Sequence, residues 1–378
     1  MLDSRVYWIW LQQALGYGNG HLTALLHAFA SPEDIYEADK NALRECGMAG
    51  AVLGRLCDKE TDTARKILES TLQHGDWVLT PADAAYPSLL RGIYAPPAVL
   101  YGRGEIPDLS VGPAIAVIGT RSLSRYGRDV TAMMASGLVR GGALIISGGA
   151  EGGDAVATAA ALECGGRVVT VQACGLDMNY PVVNEALRRR TLQQGGTLLS
   201  EYPYGVRVGK GTFHVRNRLM SGMAHGVLVT EAPEGSGTLI TARHAREQGR
   251  DVFAVPGALN MPSSAGGNAL IQHGAKLVRS ADEILEEYAP LFPQLRETNR
   301  QPKATEKAPV KERSNSSPPA PLSEKAAAVL QVLKAEALPV DEIAAQTALS
   351  MPQVLAALTE LEMFALAISE AGQQYRRL

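Results

Sequence analysis

The stretch KGTFHVRNRLMSGMAHGVLVTEAPEGSGTLITARHAREQGRDVFAVPG, residues 210–257, decides the fold. It contains two apolar runs, HGVLVTEA (225–232) and RDVFAVPG (250–257), and each run is followed by or ends at a proline or glycine. Such runs are typical of buried β-strands, and the segment between them has helical periodicity. The stretch therefore predicts one βαβ unit, in which a helix joins two parallel strands.

A glycine loop follows the first of these two strands. It reads Gly235-Ser236-Gly237-Thr238, and threonine is a residue type that often caps the start of a helix. Glycines let a ligand approach the backbone closely, while free N–H groups and the positive end of a helix dipole favour an anion. We therefore expect a phosphate to bind at this loop.

Cations, an aromatic ring and an amide precede the glycine loop. Three cations bracket the other two groups: Lys210, Arg216 and Arg218 around Phe213 and Asn217. Residues 188–218 carry seven cationic side chains and one carboxylate, although the formal net charge of the 378-residue chain is −3. A positive groove with aromatic side chains is the pattern with which proteins bind single-stranded nucleic acids.

Strands and helices alternate through the centre of the chain. Between residues 111 and 288 the apolar runs predict seven strands: AIAVIGT (114–120), ALIISGGA (143–150), RVVTVQACG (167–175), GTLLSEYP (196–203), GVLVTEA (226–232), DVFAVPG (251–257) and KLVRS (276–280). Strands this uniformly apolar are buried on both faces, as in a parallel sheet covered by helices. The predicted fold class is α/β, with a Rossmann-like, doubly wound and mostly parallel sheet.

The loops at the carboxyl ends of these strands are the candidate sites, because ligands of doubly wound sheets bind there. They are Gly119-Thr120-Arg121-Ser122, Ser147-Gly148-Gly149, Gly175-Leu176-Asp177, Glu201-Tyr202-Pro203-Tyr204 and Gly235-Ser236-Gly237-Thr238. Arg121 directly follows the first strand, and an arginine in that position can donate two parallel hydrogen bonds to a phosphate.

The flanks of this core differ from it in composition. Residues 1–74 alternate apolar helical stripes with glycine turns, which predicts an all-α domain whose turns are similar to those of helix-hairpin-helix modules. Residues 75–110 are broken by prolines and should form short strands and turns, leading into a core that extends to residue 290. Residues 291–322 predict a disordered linker. Residues 323–378 predict three helices and a hairpin, the pattern of a winged-helix domain.

Composition and termini argue against several classes of protein. The Met1 end has no basic segment, and its apolar residues soon give way to polar ones, so it predicts neither a signal peptide nor a membrane span. We expect a cytoplasmic protein. The four cysteines have no C-x-x-C spacing, which argues against zinc and against a disulfide framework. We expect no metal and no cofactor.

No catalytic set is evident in the sequence. The chain lacks the G-x-G-x-x-G and G-x-x-x-x-G-K-[ST] fingerprints of dinucleotide and P-loop sites. His214, His225 and His244 accompany no evident nucleophile or ligand cluster, and we interpret them as structural. Two functions stay open: a single-stranded DNA binder that is not an enzyme, and a nucleotide-processing enzyme. A duplex-DNA regulator is disfavoured because the third helix of the winged-helix segment, MPQVLAALTELEMFA (351–365), has no Lys or Arg.

The chain resembles the DNA-processing protein A family, also called DprA or Smf. The matching words occur in the family's order: IGTRSLSRYG (118–127), SGGAEGGDAVA (147–157), NYPVVNEAL (179–187), GGTLLSEYPYG (195–205), FHVRNRLMSG (213–222), EAPEGSGTLITARHAREQGRDVFAVPG (231–257) and GGNALIQHGAKLV (266–278). The resemblance extends back through residues 83–104, and the helical and winged-helix segments are also similar to those of family members.

The resemblance implies a recombination mediator that binds single-stranded DNA, is usually a homodimer and is not an enzyme. It also implies that the protein protects incoming DNA in natural transformation and loads RecA onto it. From the loops and the family motifs together, the expected DNA-binding residues are Gly119, Thr120, Arg121, Ser122, Ser147, Gly148, Lys210, Phe213, Arg216, Asn217, Arg218, Gly235, Ser236, Gly237 and Thr238.

Two motifs depart from the family pattern, the first at Gly149, Glu151, Gly153 and Thr158 and the second at His214. The usual Ser-Gly-Leu-Ala-Arg-Gly-Ile-Asp is SGGAEGGD (147–154) here, so that Glu151 replaces a base. His214 stands where a proline usually follows Phe213.

One position bears on the enzymatic alternative. Phosphoribohydrolases that resemble the lysine decarboxylase-like family place a glutamate three residues after the threonine of a Gly-x-Gly-Thr loop. In this chain that residue is Thr241. The missing carboxylate favours DNA binding over hydrolysis.

Overall fold

The computed structural model describes residues 3–293, 322–334, 336–364, 366–370 and 374–377. The described residues fall into two compact units, one up to residue 293 and one from residue 322 onward. Nearly all of the predicted linker, residues 291–322, lies outside the described residues, so its disorder stays a prediction.

A nine-stranded sheet forms the centre of the first unit. Its strands are β1 (Trp77–Leu79), β2 (Leu100–Gly104), β3 (Ala114–Ile118), β4 (Leu144–Ser147), β5 (Val168–Val171), β6 (Thr197–Ser200), β7 (Gly226–Val229), β8 (Asp251–Ala254) and β9 (Lys276–Leu277). Their order across the sheet is β1-β2-β6-β5-β4-β3-β7-β8-β9. Strands β3 to β9 are parallel, and β1 and β2 pair antiparallel at one edge. The predicted doubly wound, mostly parallel fold is confirmed.

Helices cover both faces of this sheet. In the first unit they are α1 (Ser4–Leu15), α2 (His21–Ala28), α3 (Pro32–Glu37), α4 (Lys40–Glu45), α5 (Gly50–Cys57), α6 (Asp62–Gln73), α7 (Ser88–Arg91), α8 (Arg125–Arg140), α9 (Gly153–Glu163), α10 (Glu185–Gln193), α11 (Lys210–Met223), α12 (Thr238–Glu247), α13 (Ala265–Gln272) and α14 (Asp282–Tyr288). None of the helices in the described parts of the chain is long and apolar enough to cross a membrane.

Strand β3 shows why both faces must be covered. Its side chains alternate in direction, so Ala116 and Ile118 join the apolar core beneath α11 and α12, while Ile115 and Val117 join the core beneath α8 and α9. All five residues of the strand are buried. A strand without a solvent-facing side has no polar alternation, which is the pattern that the sequence shows.

The predicted strands are present, but they end earlier than the apolar runs do. The run 114–120 is a strand only as far as Ile118, and the run 226–232 only as far as Val229. The remaining residues of each run form the loops beyond the sheet. These loop residues are mostly glycine and polar residues, Gly119 and Thr120 after β3 and Thr230 and Glu231 after β7.

The strand order places a topological switch point between β3 and β7. From β3 the chain moves outward through β4, β5 and β6, and it then returns to the other side of β3 as β7. The loops after β3 and β7 therefore lead away in opposite directions and leave a crevice between them.

The amino-terminal helices pack against one edge of the sheet. Their apolar core includes Ile9 and Leu25, and it continues into Val78 of β1, Tyr101 of β2 and Leu198 of β6. Residues 75–110 supply β1, α7 and β2, which are the short elements expected there. The domain boundary proposed at residue 74 stays a prediction.

The second unit has three helices and a small antiparallel sheet. They are α15 (Glu324–Val332), α16 (Val340–Thr347), α17 (Met351–Met363), β10 (Leu338–Pro339), β11 (Ala367–Glu370) and β12 (Gln374–Arg377). The strand order is β10-β12-β11. This is the winged-helix arrangement that the sequence predicts.

Removing a side chain from the centre of the sheet tests this packing. We expect Ile115→Ala to lower the free energy of unfolding of the first unit by about 2–5 kcal/mol, because a fully buried side chain leaves a cavity. Leu259→Ala is the matched control, since Leu259 is 96% exposed and its loss should change the free energy by less than about 0.5 kcal/mol. Urea unfolding measures both. Equal losses of unfolding free energy in the two variants would contradict the central position of β3.

Candidate functional site

A cleft of about 450 Å³ opens at the switch point between β3 and β7. Its lining comes from the loop after β3, the start of α9, one face of α11, and the loop and first turn of α12: Ile118, Gly119, Thr120, Arg121, Ala150, Asp154, Phe213, His214, Arg216, Asn217, Met220, Pro233, Glu234, Gly235, Ser236, Gly237, Thr238, Ile240 and Thr241. The structure thus brings together ten of the fifteen predicted DNA-binding residues: Gly119, Thr120, Arg121, Phe213, Arg216, Asn217, Gly235, Ser236, Gly237 and Thr238. Their contact with DNA stays a prediction.

The loop after β3 lies directly against the start of α9. A Cβ added at Gly153 would come within 2.5 Å of the Gly119 Cα, so only glycine allows this approach. The Gly153 N–H donates to the Thr120 carbonyl at 3.0 Å, and the Thr120 N–H donates to the Glu231 carbonyl at 2.8 Å. These bonds hold the loop against the start of α9 and against the loop after β7. They therefore fix the backbone from which the Arg121 side chain extends.

The glycine loop before α12 keeps two backbone N–H groups available. The Ser236 N–H donates to the Pro233 carbonyl and the Thr238 N–H to Ser236 Oγ, each at 3.2 Å. The amides of Gly235 and Gly237 have no acceptor within the described residues. Together with the dipole of the ten-residue α12, they form a position suited to an anion.

The cap of α12 differs from the prediction by one residue. Gly237 is the N-cap and Thr238 is the first helical residue. The Ser236 hydroxyl, one residue before the N-cap, accepts the Thr238 N–H at 3.2 Å. The free N–H groups are accordingly those of the glycines.

Phe213 stands in the cleft wall among cationic groups. The Arg121 guanidinium carbon lies 5.0 Å from the centre of the Phe213 ring, and that of Arg216 lies 6.0 Å from it. Phe213 is half-buried and Arg121 is exposed. The two guanidinium groups are within cation–π range of the ring, so a flat face and positive charge occupy the same wall.

Arg216 is buried in the floor of the cleft. Its Nη1 donates to the carbonyl oxygens of Gly148 and Val171, and its Nε donates to Asn217 Oδ1 at 3.2 Å. Burial lowers the pKa of the Arg216 guanidinium from its ordinary value. The bond to Oδ1 turns the amide –NH₂ of Asn217 away from Arg216. The floor therefore presents a guanidinium and an oriented amide donor.

Asp154 is a cleft residue that the sequence reasoning missed. It is 5% exposed, and its Oδ2 accepts the Ala150 N–H at 3.3 Å. Burial raises the pKa of this carboxyl, and the Arg216 guanidinium opposes the rise. The signal was an aspartate in the first turn of a helix that follows a glycine pair, a place where a carboxylate is favoured by the helix dipole.

Two predicted residues lie beneath the cleft rather than in its lining. Ser147 is fully buried, and its hydroxyl donates to the Val117 carbonyl at 3.2 Å. A Cβ added at Gly148 would come within 2.6 Å of both Arg216 Nη1 and Asp154 Oδ2. Gly148 therefore makes room for the buried side chains, which corrects the expectation that these two residues face a ligand.

Two further predicted residues flank the cleft. Lys210 is exposed at the start of α11, three residues before Phe213 and hence on the same side of the helix. Ser122 is exposed after Arg121, and its N–H donates to Thr120 Oγ1 at 3.3 Å. Neither lines the cleft.

Arg218 turns away from the cleft, which corrects its predicted place on the ligand side. Its Nη2 lies 2.6 Å from Glu201 Oε1 in a buried ion pair, and Gln12 Nε2 donates to the same oxygen at 3.4 Å. Burial raises the pKa of the Glu201 carboxyl. This pair lies between α1, β6 and α11, where the helices meet the sheet.

A second carboxylate near the cleft also has a structural role. Glu231 follows β7 and is buried. It accepts the Ser124 N–H at 2.8 Å, the Ser124 hydroxyl at 2.7 Å and the Ser263 hydroxyl at 2.6 Å. Glu231 therefore fixes the start of α8 beside the loop after β3.

The described residues contain no group of three or more His, Cys, Asp or Glu side chains that could hold a metal ion. The four cysteines are free thiols. His225 Nδ1 accepts the Ala114 N–H at 3.1 Å, and His244 Nδ1 lies 3.3 Å from the Glu247 carboxylate. His214 is exposed in the cleft lining.

The fold and the cleft define a Rossmann-like α/β protein with a crevice at its topological switch point. Comparison with known families gives the identification: the model for DNA recombination-mediator protein A matches residues 77–289, and that for the DprA winged helix domain matches residues 313–373. The chain belongs to the DprA/Smf family.

Individual relatives agree with this assignment. The chain is 34% identical over 400 residues to Protein Smf of Synechocystis sp., with 99% of each chain covered. It is 40% identical over 222 residues to the DNA processing protein DprA of Bacillus subtilis, which covers 59% of this chain and 74% of that protein.

Two solved structures are similar. DNA processing protein A of Streptococcus pneumoniae matches with a TM-score of 0.65 and 32% identity, over 75% of this chain and 97% of that one. DNA processing protein A of Helicobacter pylori, whose structure concerns its single-stranded DNA binding mode, matches with a TM-score of 0.50 and 30% identity, over 57% and 96%.

The position of Arg218 can be tested through stability. We expect Arg218→Ala to lower the free energy of unfolding by about 3–5 kcal/mol, because it leaves Glu201 buried without its cation. The exposed Arg189→Ala is the control and should cost less than about 0.5 kcal/mol. Urea unfolding at neutral pH measures both. If Arg218→Ala matches the control, the buried ion pair is absent.

Proposed function

We propose that this protein binds single-stranded DNA in the cleft between β3 and β7 and acts there as a recombination mediator without catalysing a reaction. One observation carries the proposal: an aromatic face at Phe213, flanked by Arg121, lies in the same cleft as the free amides of Gly235 and Gly237. These are the groups that a base and a phosphate need. A cleft of about 450 Å³ is within the size range of small-molecule sites, so it suits a nucleotide unit.

The aromatic face favours a single strand over a duplex. A base can stack on Phe213 only if its own face is free, and in a duplex neighbouring base pairs cover those faces. Stacking on an aromatic side chain does not depend strongly on which base is present. The anion position at α12 binds a backbone phosphate, which all sequences share. Binding with little sequence preference follows.

The solved relatives support this proposal. The Helicobacter pylori protein, 30% identical to this chain, has been studied for its mode of binding single-stranded DNA. The fold and the matched region 77–289 include every segment of the cleft. We propose that the present cleft serves the same ligand.

Further parts of the family's activity are proposed for this chain on the same basis. The matched model describes a recombination mediator, and such a protein passes DNA to a recombinase, for which we propose RecA. We also propose a homodimer, protection of incoming DNA in natural transformation and a cytoplasmic location, where single-stranded DNA and RecA would meet.

The alternative is a nucleotide-processing enzyme of the phosphoribohydrolase type. Thr241, which occupies the position of the glutamate in those enzymes, lies in the cleft lining and is buried. Of the two carboxylates in the described lining, Asp154 is buried beside Arg216, and only Glu234 is exposed. This arrangement favours binding, and we propose no enzymatic activity.

Cleft variants test the proposal by fluorescence anisotropy with a labelled oligo-dT. We expect Phe213→Ala to cost about 1–3 kcal/mol of binding free energy, because one base loses its stacking surface. We expect Arg121→Ala to reduce the slope of log K against log salt by about 0.7, because one phosphate contact is lost.

Arg140→Ala is the matched control for charge. Arg140 is the last residue of α8 and is exposed. Since α8 begins near the carboxyl end of β3 and runs antiparallel to it, Arg140 lies near the amino-terminal ends of the strands, opposite the cleft. This variant should bind as the wild type does. Wild-type protein that ignores oligo-dT, or cleft variants that bind as tightly as Arg140→Ala, would contradict the proposal. Hydrolysis of nucleoside monophosphates by the wild type would favour the enzymatic alternative.

A further inference from the structure

An aromatic residue without an assigned role lies beside the cleft. Tyr180 belongs to the loop between β5 and α10, and its ring centre is 5.9 Å from that of Phe213, with 56° between the ring planes. It is half-buried. The expected set of DNA-binding residues did not include it, because in sequence it is 33 residues away from Phe213. The fold makes the two rings neighbours.

Hydrogen bonds hold this loop in place. Arg188 Nη1 donates to the carbonyl oxygens of Tyr180 and Pro181 at 3.0 and 2.9 Å. Asn184 Nδ2 donates to the carbonyl oxygens of Gly149 and Ala150, both at 3.0 Å. Since Ala150 lines the cleft, the loop is attached to the cleft wall. Tyr180 is therefore presented on a fixed backbone.

The next turn of the same loop exposes apolar surface. Val182 and Val183 are 69% and 71% exposed, in a short turn between Pro181 and α10. Adjacent exposed apolar residues on a fixed turn beside a ligand cleft indicate a contact surface. The surface continues from Phe213 through Tyr180 toward the β5 side of the sheet, while the anion position at α12 lies toward β7.

We propose that Tyr180, with the turn at Val182 and Val183, forms a second nucleotide position, which binds the base adjoining the one that stacks on Phe213. The inference rests on the proposed function. A strand anchored by a phosphate at α12 and a base at Phe213 leaves the cleft over this loop. Because the ring planes are tilted by 56°, one planar base cannot stack flat on both rings, so the proposal gives each ring its own base, as on surfaces where successive bases stack on successive aromatic side chains.

A purely supporting role for Tyr180, in which it only packs against Phe213, predicts a different result. In that case removing the Tyr180 ring weakens binding only through Phe213, and it has no effect once the Phe213 ring is absent. If Tyr180 and Phe213 each contact their own base, the two substitutions instead weaken binding by independent factors. A double-mutant cycle distinguishes the two cases.

The experiment measures the dissociation constant of a labelled oligo-dT with four proteins: the full-length wild type, Tyr180→Leu, Phe213→Ala and the double variant. Leucine keeps apolar contact with Phe213 but has no flat face. We expect Tyr180→Leu to weaken binding at least about 5-fold, and by a similar factor in the Phe213→Ala background. Tyr180→Phe, which retains the ring, should bind like the wild type, and urea unfolding checks that all variants are folded.

Three outcomes would overturn the inference. An effect of Tyr180→Leu that disappears in the Phe213→Ala background assigns the residue to support of Phe213. Wild-type affinity for Tyr180→Leu together with a loss for Phe213→Ala removes the second position and leaves the proposed function standing. If the wild type itself fails to bind oligo-dT, the proposed function and the inference fall together.

Discussion

The cleft depends on one buried cation. Arg216 lies under it with its guanidinium bonded to the carbonyl oxygens of Gly148, just beyond β4, and Val171, at the end of β5. A buried charge is costly unless hydrogen bonds and nearby charge compensate it, and here backbone carbonyls and the neighbouring Asp154 do so. Because Arg216 is in the middle of α11, these bonds fix that helix across the strand ends, and Phe213, one turn before it, is held in the cleft wall.

Close packing of backbone segments completes the site. Glycine at 148 admits the Arg216 guanidinium, and glycines at 119 and 153 let the loop after β3 touch α9. Glu231 then secures the start of α8 next to that loop. The polar groups beneath the cleft therefore hold the surrounding loops and helices in place. The accessible groups include an aromatic face, exposed cations and free amides beside one exposed carboxylate, Glu234, and this set suits binding a flexible polyanion better than it suits bond cleavage.

The sequence predicts the sheet well and the site in part. Apolar runs without polar alternation mark strands buried on both faces, and the glycine loop and Phe213 are correctly placed at the strand ends. Arg216 and Arg218 look equivalent in the sequence, yet they differ by about 200° around α11, so one enters the cleft floor and the other meets Glu201. Ser147, Gly148 and Tyr180 could not be placed from sequence, because their roles arise from contacts between distant segments.

We propose that the cleft between β3 and β7 receives a nucleotide of single-stranded DNA. The most direct measurement is a crystal structure of the protein with a short oligo-dT. We expect a base against the Phe213 ring and a phosphate within hydrogen-bond distance of the Gly235 and Gly237 amides. DNA bound on another surface, with Phe213 and these amides untouched, would contradict it.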